Sequence, residues 1–219
     1  MNLESLKKEQ IELSSKVSIK DSFNEMRTIA GCDQLVKGDD IYSCVVVCDF
    51  ENLSVIEKSY ANRKVNFPYI PGFLAYRETP VIIDAFSKLE KKPDLLLVDG
   101  NGILHPRRFG IACYLGITLN IPTIGIAKKL LIGRVENERI FVSEELRGIK
   151  LEAKIGSNPI YVSPGHKISV QKSFEIAKNC IRPPHKLPEP LHLAHKFVNR
   201  AKNKEKIVGK NMKTFMNSL

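Results

Sequence analysis

No apolar run in this sequence approaches the ~20 residues of a membrane-spanning helix, so membrane-embedded chemistry is not expected. The opening residues, MNLESLKKEQ, lack the apolar core of a secretory signal, and the chain is expected to stay in the cytoplasm. There is no CxxC pair among Cys32, Cys44, Cys48, Cys113 and Cys180, which argues against zinc and thioredoxin-like chemistry. Their odd number and apolar settings predict buried free thiols in a reducing compartment. Internal repeats are absent, as is any clear domain boundary, so residues 1–219 are expected to form one domain with a frayed tail from about 204. Acidic residues are also in short supply. Twenty-four of them face 34 Lys and Arg, for a net charge of +10. An excess of that size favours a polyanionic partner, because Lys and Arg release condensed counterions when they meet phosphates.

What is present reads as an α/β protein. Met1–Lys20 predicts a charged helix with Leu3, Leu6, Ile11 and Leu13 available for packing. Thr28–Lys37, Ile41–Glu51 and Ser54–Val65, joined by short turns such as "GDD", predict a three-stranded antiparallel meander. In "RETPVIIDAFSKLEKK", Thr79 is placed to cap a helix with Pro80 in its first turn. Pro93–Gly102 and Ile121–Ala127 are continuous apolar runs, expected as buried parallel strands, with a helix from "FGIACYLGITLN" between them. Strand, helix, strand implies a right-handed crossover. Beyond it come short strands, a helix from Ser169, a proline-rich connector "RPPHKLPEP" and a last basic helix near Leu191.

Two acids stand out against this background. Asp33 interrupts "IAGCDQLV" and Asp99 ends "LLLVD". A carboxylate in a buried strand is costly without a cationic partner. If the two strands are neighbours, the acids converge and can hold a divalent ion; oxygen ligation selects Mg²⁺ or Mn²⁺ over zinc. The plainer alternatives are that Asp99 caps a turn and Asp33 pairs with a lysine. Glu78 adds a third acid, with a solvated Arg77–Glu78 pair as its plainer role. Lys128, after the second parallel strand, faces the crevice of Asp99 or serves only solubility. The segment "FPYIPGFLAYRETP" is too stiff for a linker and too broken by proline for one helix.

These features resemble the endonuclease V family. The segments that carry the resemblance are "IAGCD", "PYIPGFLAYRE", "VDGNGILHPRRFGIA", "IPTIGIAKK", "VSPGHKIS" and "LPEPLHLAH", in the family's order over nearly the whole chain. The resemblance implies a ribonuclease H-like fold: a mixed sheet of three antiparallel strands plus parallel ones, flanked by helices. It implies a Mg²⁺-dependent DNA repair endonuclease, with Mn²⁺ as a substitute. The cut is expected at the second phosphodiester bond 3′ to hypoxanthine, leaving 3′-hydroxyl and 5′-phosphate ends. Asp33, Asp99 and Glu78 are then the metal-binding and catalytic carboxylates. His195 is the histidine beside the attacking water, and Lys128 steadies a phosphate. Tyr69, held between Pro68 and Pro71, is a strand-separating wedge. Gly72, Leu74, Gly100, His105, Gly110 and Ile111 line the pocket for the everted base. Cys113-Tyr114 and Gln34 depart from the usual family residues, at positions outside the presumed metal ligands. The alternatives are an inosine-specific RNA endonuclease and, from another class, a non-catalytic nucleic-acid-binding module. A monomer is expected.

Overall fold

In the computed structural model, residues 2–23, 25–154 and 156–200 are described. The expectation of a frayed tail falls outside them. Helix α1 (Leu3–Ser14) precedes the strands β1 (Thr28–Lys37), β2 (Asp40–Asp49) and β3 (Val55–Lys64), which form the predicted meander. Helix α2 (Leu74–Ser87), strand β4 (Leu95–Asp99), helix α3 (Ile111–Leu119) and strand β5 (Thr123–Ala127) follow. Then come β6 (Arg134–Glu136), β7 (Arg139–Val142), β8 (Glu145–Leu151), β9 (Ile160–His166) and α4 (Val170–Asn179). A final helix, α5, runs through 189–200.

All nine strands join one sheet in the order β3-β2-β1-β4-β5-β9-β8-β7-β6. β1, β4 and β5 are mutually parallel, so the crossover through α3 is as expected. The remaining neighbours run antiparallel. Alternation along β1 and β2 divides the core. Ala30, Cys32, Val45 and Val47 pack under α2 and α3 through Val81, Ile82, Phe86 and Leu115. Ile29, Cys44, Val46 and Cys48 pack under α4 and α5 through Ile176, Leu191, Ala194 and Val198. The period of two sends successive side chains of one strand to opposite layers. All five cysteines are free and buried, in agreement with the thiol expectation.

Two expectations need correction. The first helix ends at Ser14, not Lys20, and Ile11 is 58% exposed rather than packed. Only Gln10 of that helix is buried. Second, Thr79 is not a cap. α2 starts at Leu74, and Pro80 lies inside it. The tight turn before it, in which the Phe73 N–H donates to the Ile70 carbonyl (3.0 Å), starts the helix early. Proline removes one backbone donor, leaving the Tyr76 carbonyl without its helical partner. The Thr79 hydroxyl donates to the Ala75 carbonyl (2.6 Å) instead of capping, and burial of Ala75, Val81, Ile82, Ala85 and Phe86 carries the helix through.

Candidate active site

The parallel register pairs Cys32 with Val98, so Asp33 and Asp99 lie side by side at the carboxyl ends of β1 and β4. Asp99 in turn pairs with Ile126, two residues before Lys128. Lys128 Nζ donates to Asp99 Oδ2 at 2.5 Å. α5 crosses β1 so closely that a Cβ on Gly31 would lie 2.3 Å from the backbone of Pro190. That approach, open only to glycine, brings His195 Nδ1 to 2.6 Å from Asp33 Oδ2. Glu78 comes from the first turns of α2 and accepts from Gln34 Nε2 at 2.9 Å. The five residues expected to be catalytic therefore gather at one edge of the sheet.

Their plainer alternatives resolve individually. Asp33 pairs with His195 rather than a lysine. Arg77 donates to the Phe67 carbonyl (2.8 Å), not to Glu78. Lys128 is an ion-pair partner and not only a solvated charge. Tyr69 is 68% exposed, so it is no core aromatic.

The acids repel one another. Asp33, 3% exposed, is pushed from 3.8 to about 6, first by burial and then by Asp99, against the pull of His195 and Lys128. Glu78 is pushed from 4.5 to about 7 by burial and by Asp99, with Arg77 and the Gln34 hydrogen bond opposing. Mutually strained carboxylates in a cleft are the electrostatic signature of a functional site. Among the described residues no three His, Cys, Asp or Glu side chains form a ready-made metal cluster. Each carboxylate is instead held by its own protein partner. The donor set still fits a hard cation. The buried oxygens Gln34 Oε1 and Asn101 Oδ1 have no hydrogen-bond partner among the described residues, and both adjoin these acids in sequence or structure. Oxygen atoms alone, with no thiolate, suit Mg²⁺ or Mn²⁺.

Beside the acids lies a cavity of about 160 Å³. Its walls include Gly72, Leu74, Gly100, His105, Gly110 and Ile111, the six residues expected to hold a base. Tyr69 stands among its lining residues, and Glu78 and Asp99 border it. Gly100 adopts φ +146°, and a Cβ there would meet Ile111 Cγ2 at 2.4 Å. His105 is neutral, held down to about 4 by burial and by the charge of Arg107.

A sequence profile of the Endonuclease V family matches residues 11–196. The Endonuclease V of Dictyoglomus thermophilum is 43% identical over 204 residues, covering 90% of this chain and 89% of its own. The chain belongs to the Endonuclease V family. It is therefore an enzyme, a nuclease that hydrolyses phosphodiester bonds. The crystal structure of Endonuclease V from Streptomyces avermitilis superposes with a TM-score of 0.86 at 28% identity, over 94% of this chain and 95% of that one. Endonuclease V of Ciona intestinalis was solved in complex with a 24mer DNA containing an inosine followed by a ribo-adenosine. It superposes with a TM-score of 0.83 at 26% identity, over 92% and 98% of the two chains. The expected ribonuclease H-like fold, a mixed sheet between helices, holds.

Sequence reasoning missed Gln34 as a site residue, although its side chain grips Glu78. It missed Gln10, Asn101, Phe109 and Leu131 in the cavity wall. Asn101 and Phe109 lie inside the family-like run and could have been flagged there. Gln10 carried no signal, because a lone glutamine on a charged helix reads as solvated.

Proposed function

We propose that this chain nicks DNA beside a deaminated base, hypoxanthine foremost, with Mg²⁺ as its cofactor. The observation that carries the reading is the junction of an acid cluster with a base-sized, glycine-walled cavity: Asp99 and Gly100 are consecutive, one in each. The Ciona relative crystallised with an inosine-containing DNA supports the same substrate class. Asp33, Asp99 and Glu78 would hold the metal. When bound, a divalent ion supplies Lewis-acid polarisation of the scissile phosphate and positive charge for the leaving 3′-oxygen.

The chain's own residues supply the rest. Asp33 fixes the His195 ring by its Nδ1 (2.6 Å), and Nε2, 3.5 Å from Asn199 Nδ2, takes a proton from the attacking water. Lys128 steadies the phosphate from the side of Asp99. Tyr69, exposed at the cavity, stacks in the gap left by the everted base. The base occupies the cavity while the acids lie beside it, which supports a cut displaced from the lesion; the second phosphodiester bond on its 3′ side is the position that the family resemblance implies. The decisive experiment is Mg²⁺-dependent nicking of strands carrying deoxyinosine, inosine or adenine at one position. Cleavage of the deoxyinosine strand at the second 3′ bond is expected. Preference for the ribo-strand would reassign the enzyme to RNA, and no cleavage of either would overturn the reading.

A further inference from the structure

We infer that Gln10 is a specificity-determining positioning residue, which makes the N-terminal helix α1 part of the base pocket. This inference rests on the base-pocket reading above. α1 is a charged helix whose only buried residue is polar: Gln10 is 1% exposed. A helix held by hydrophobic burial alone shows an apolar stripe to the core; α1 packs Leu13 against Ile103, Phe109 and Cys113 and adds a defined set of hydrogen bonds. Gln10 Nε2 donates to the Gly72 carbonyl at 3.1 Å. Its Oε1 accepts from Arg107 Nε in a short hydrogen bond. Arg107 Nη2 donates to the same Gly72 carbonyl at 2.6 Å while its guanidinium lies 4.5 Å over the Phe73 ring. The Tyr76 hydroxyl lies 3.2 Å from Glu9 Oε2 and completes the dock.

Both ends of the Gln10 amide are thus committed, and flipping it would set oxygen against oxygen and donor against donor. His105 Nδ1 accepts the Arg107 backbone N–H (3.3 Å). A carbonyl oxygen offers two lone pairs; with Gln10 and Arg107 both donating to it, the Gly72 peptide is locked. The lock matters because Gly72 sits at φ +81°, a conformation with little steric preference of its own, and lines the cavity together with Gln10 and His105. Backbone groups discriminate between base edges only as sharply as they are held in place. The family profile begins at residue 11, so Gln10 lies just outside the matched segment.

The test compares Gln10→Ala and Gln10→Glu with the parent enzyme on otherwise identical deoxyinosine and adenine strands. The glutamate keeps the acceptor for Arg107 but opposes a carboxylate to the Gly72 carbonyl. Expected for both is a loss of about tenfold in kcat/KM on the deoxyinosine strand, carried mainly by KM, with no matching loss on adenine. The discrimination ratio then falls by the same factor. Circular dichroism and melting temperature separate folding from positioning. Equal losses on both strands that track a lower melting temperature would reduce Gln10 to a structural residue and overturn the inference. So would an unchanged ratio in both variants. Failure of the parent enzyme to nick deoxyinosine at all would instead remove the base-pocket reading, and this inference with it.

Discussion

Asp99→Asn should make the metal-free protein more stable while nearly abolishing cleavage. At pH 8, holding Asp33 ionised despite a pKa raised from 3.8 to about 6 costs about 3 kcal/mol, at about 1.4 kcal/mol per pH unit. The rise of Glu78 from 4.5 to about 7 costs about as much. Burial is the larger cause of both and Asp99 the second, so removing the Asp99 charge relieves part of each penalty, on the order of 1 kcal/mol. Loss of the Lys128–Asp99 pair, in which Lys128 is 41% exposed, gives back about 0.2–1 kcal/mol. The net gain of about 1–2 kcal/mol corresponds to a melting temperature higher by about 2–8 °C in a chain of this size. Both folded-state pKa values lie above their unfolded values. The penalty is therefore absent below about pH 4, grows as the pH rises, and is complete above about pH 7. The advantage of the variant should vanish at pH 4. Saturating Mg²⁺ should reverse the order, since only the parent gains about 2.7 kcal/mol at a hundred times Kd. Thermal melts in EDTA and in Mg²⁺ at both pH values read all of this. A variant less stable than its parent at pH 8 in EDTA would refute the claim that these acids are mutually strained.

His195→Ala should lower single-turnover cleavage by about 10²–10⁴-fold, whereas His192→Ala should do far less, because His192 stacks on His185 at 3.5 Å while His195 holds Asp33. Tyr69→Ala should weaken lesion binding by about ten- to a hundredfold on duplexes and less on single strands, with Tyr69→Phe close to the parent; equal losses on both substrates would make Tyr69 a packing residue. Gln34→Leu removes a hydrogen bond that favours the ionised form of Glu78, so the acidic limb of the pH–rate profile should move to higher pH; a profile in its original place would show that Glu78 does not depend on Gln34.

The central sheet was legible because its strands are punctuated. Gly38 ends β1 in a turn at φ +58°, and Asp99 with Gly100 ends β4. The continuous buried runs of β1, β2 and β4 between such breaks left little choice of element. The start of α2 was misread because Thr79-Pro80 has the local chemistry of a helix start, and burial of Ala75 and Thr79 overrides it. α1 was drawn too long because charge alone gives no stop signal, and its only buried residue is Gln10, a polar one. β6 to β9 were only "short strands" in sequence: β6 and β7 are brief and bury little, and β9 pairs with β5, far away in the chain, as with Thr123 and His166. Asp33, Asp99, Glu78 and Lys128 stood out by their settings, and His195, Tyr69 and the cavity residues were named through the family resemblance; the bonds among them, such as Gln34 to Glu78, follow from register and helix placement that no local pattern encodes.

The acids and the cavity share one edge for a topological reason. β1, β4 and β5 are parallel neighbours, so their carboxyl ends lie together, and ligands of open α/β sheets sit outside such ends. Asp33 and Gln34 belong to the first end, Asp99 and Gly100 to the second, and Lys128 follows the third. The connection leaving β4 must start at that edge, which places Asn101, His105 and Gly110 there, and the helix it feeds begins at the cavity with Ile111. α2, which leads into the amino end of β4, begins at the opposite end of that strand and so brings Leu74 and Glu78 to the same edge. Only His195 needs a special arrangement, the close crossing of α5 over Gly31. The acid cluster and the cavity wall are thus adjacent along a single backbone: β4 ends at the carboxylate Asp99. The next residue is Gly100, whose missing side chain leaves room for Ile111 in the cavity wall.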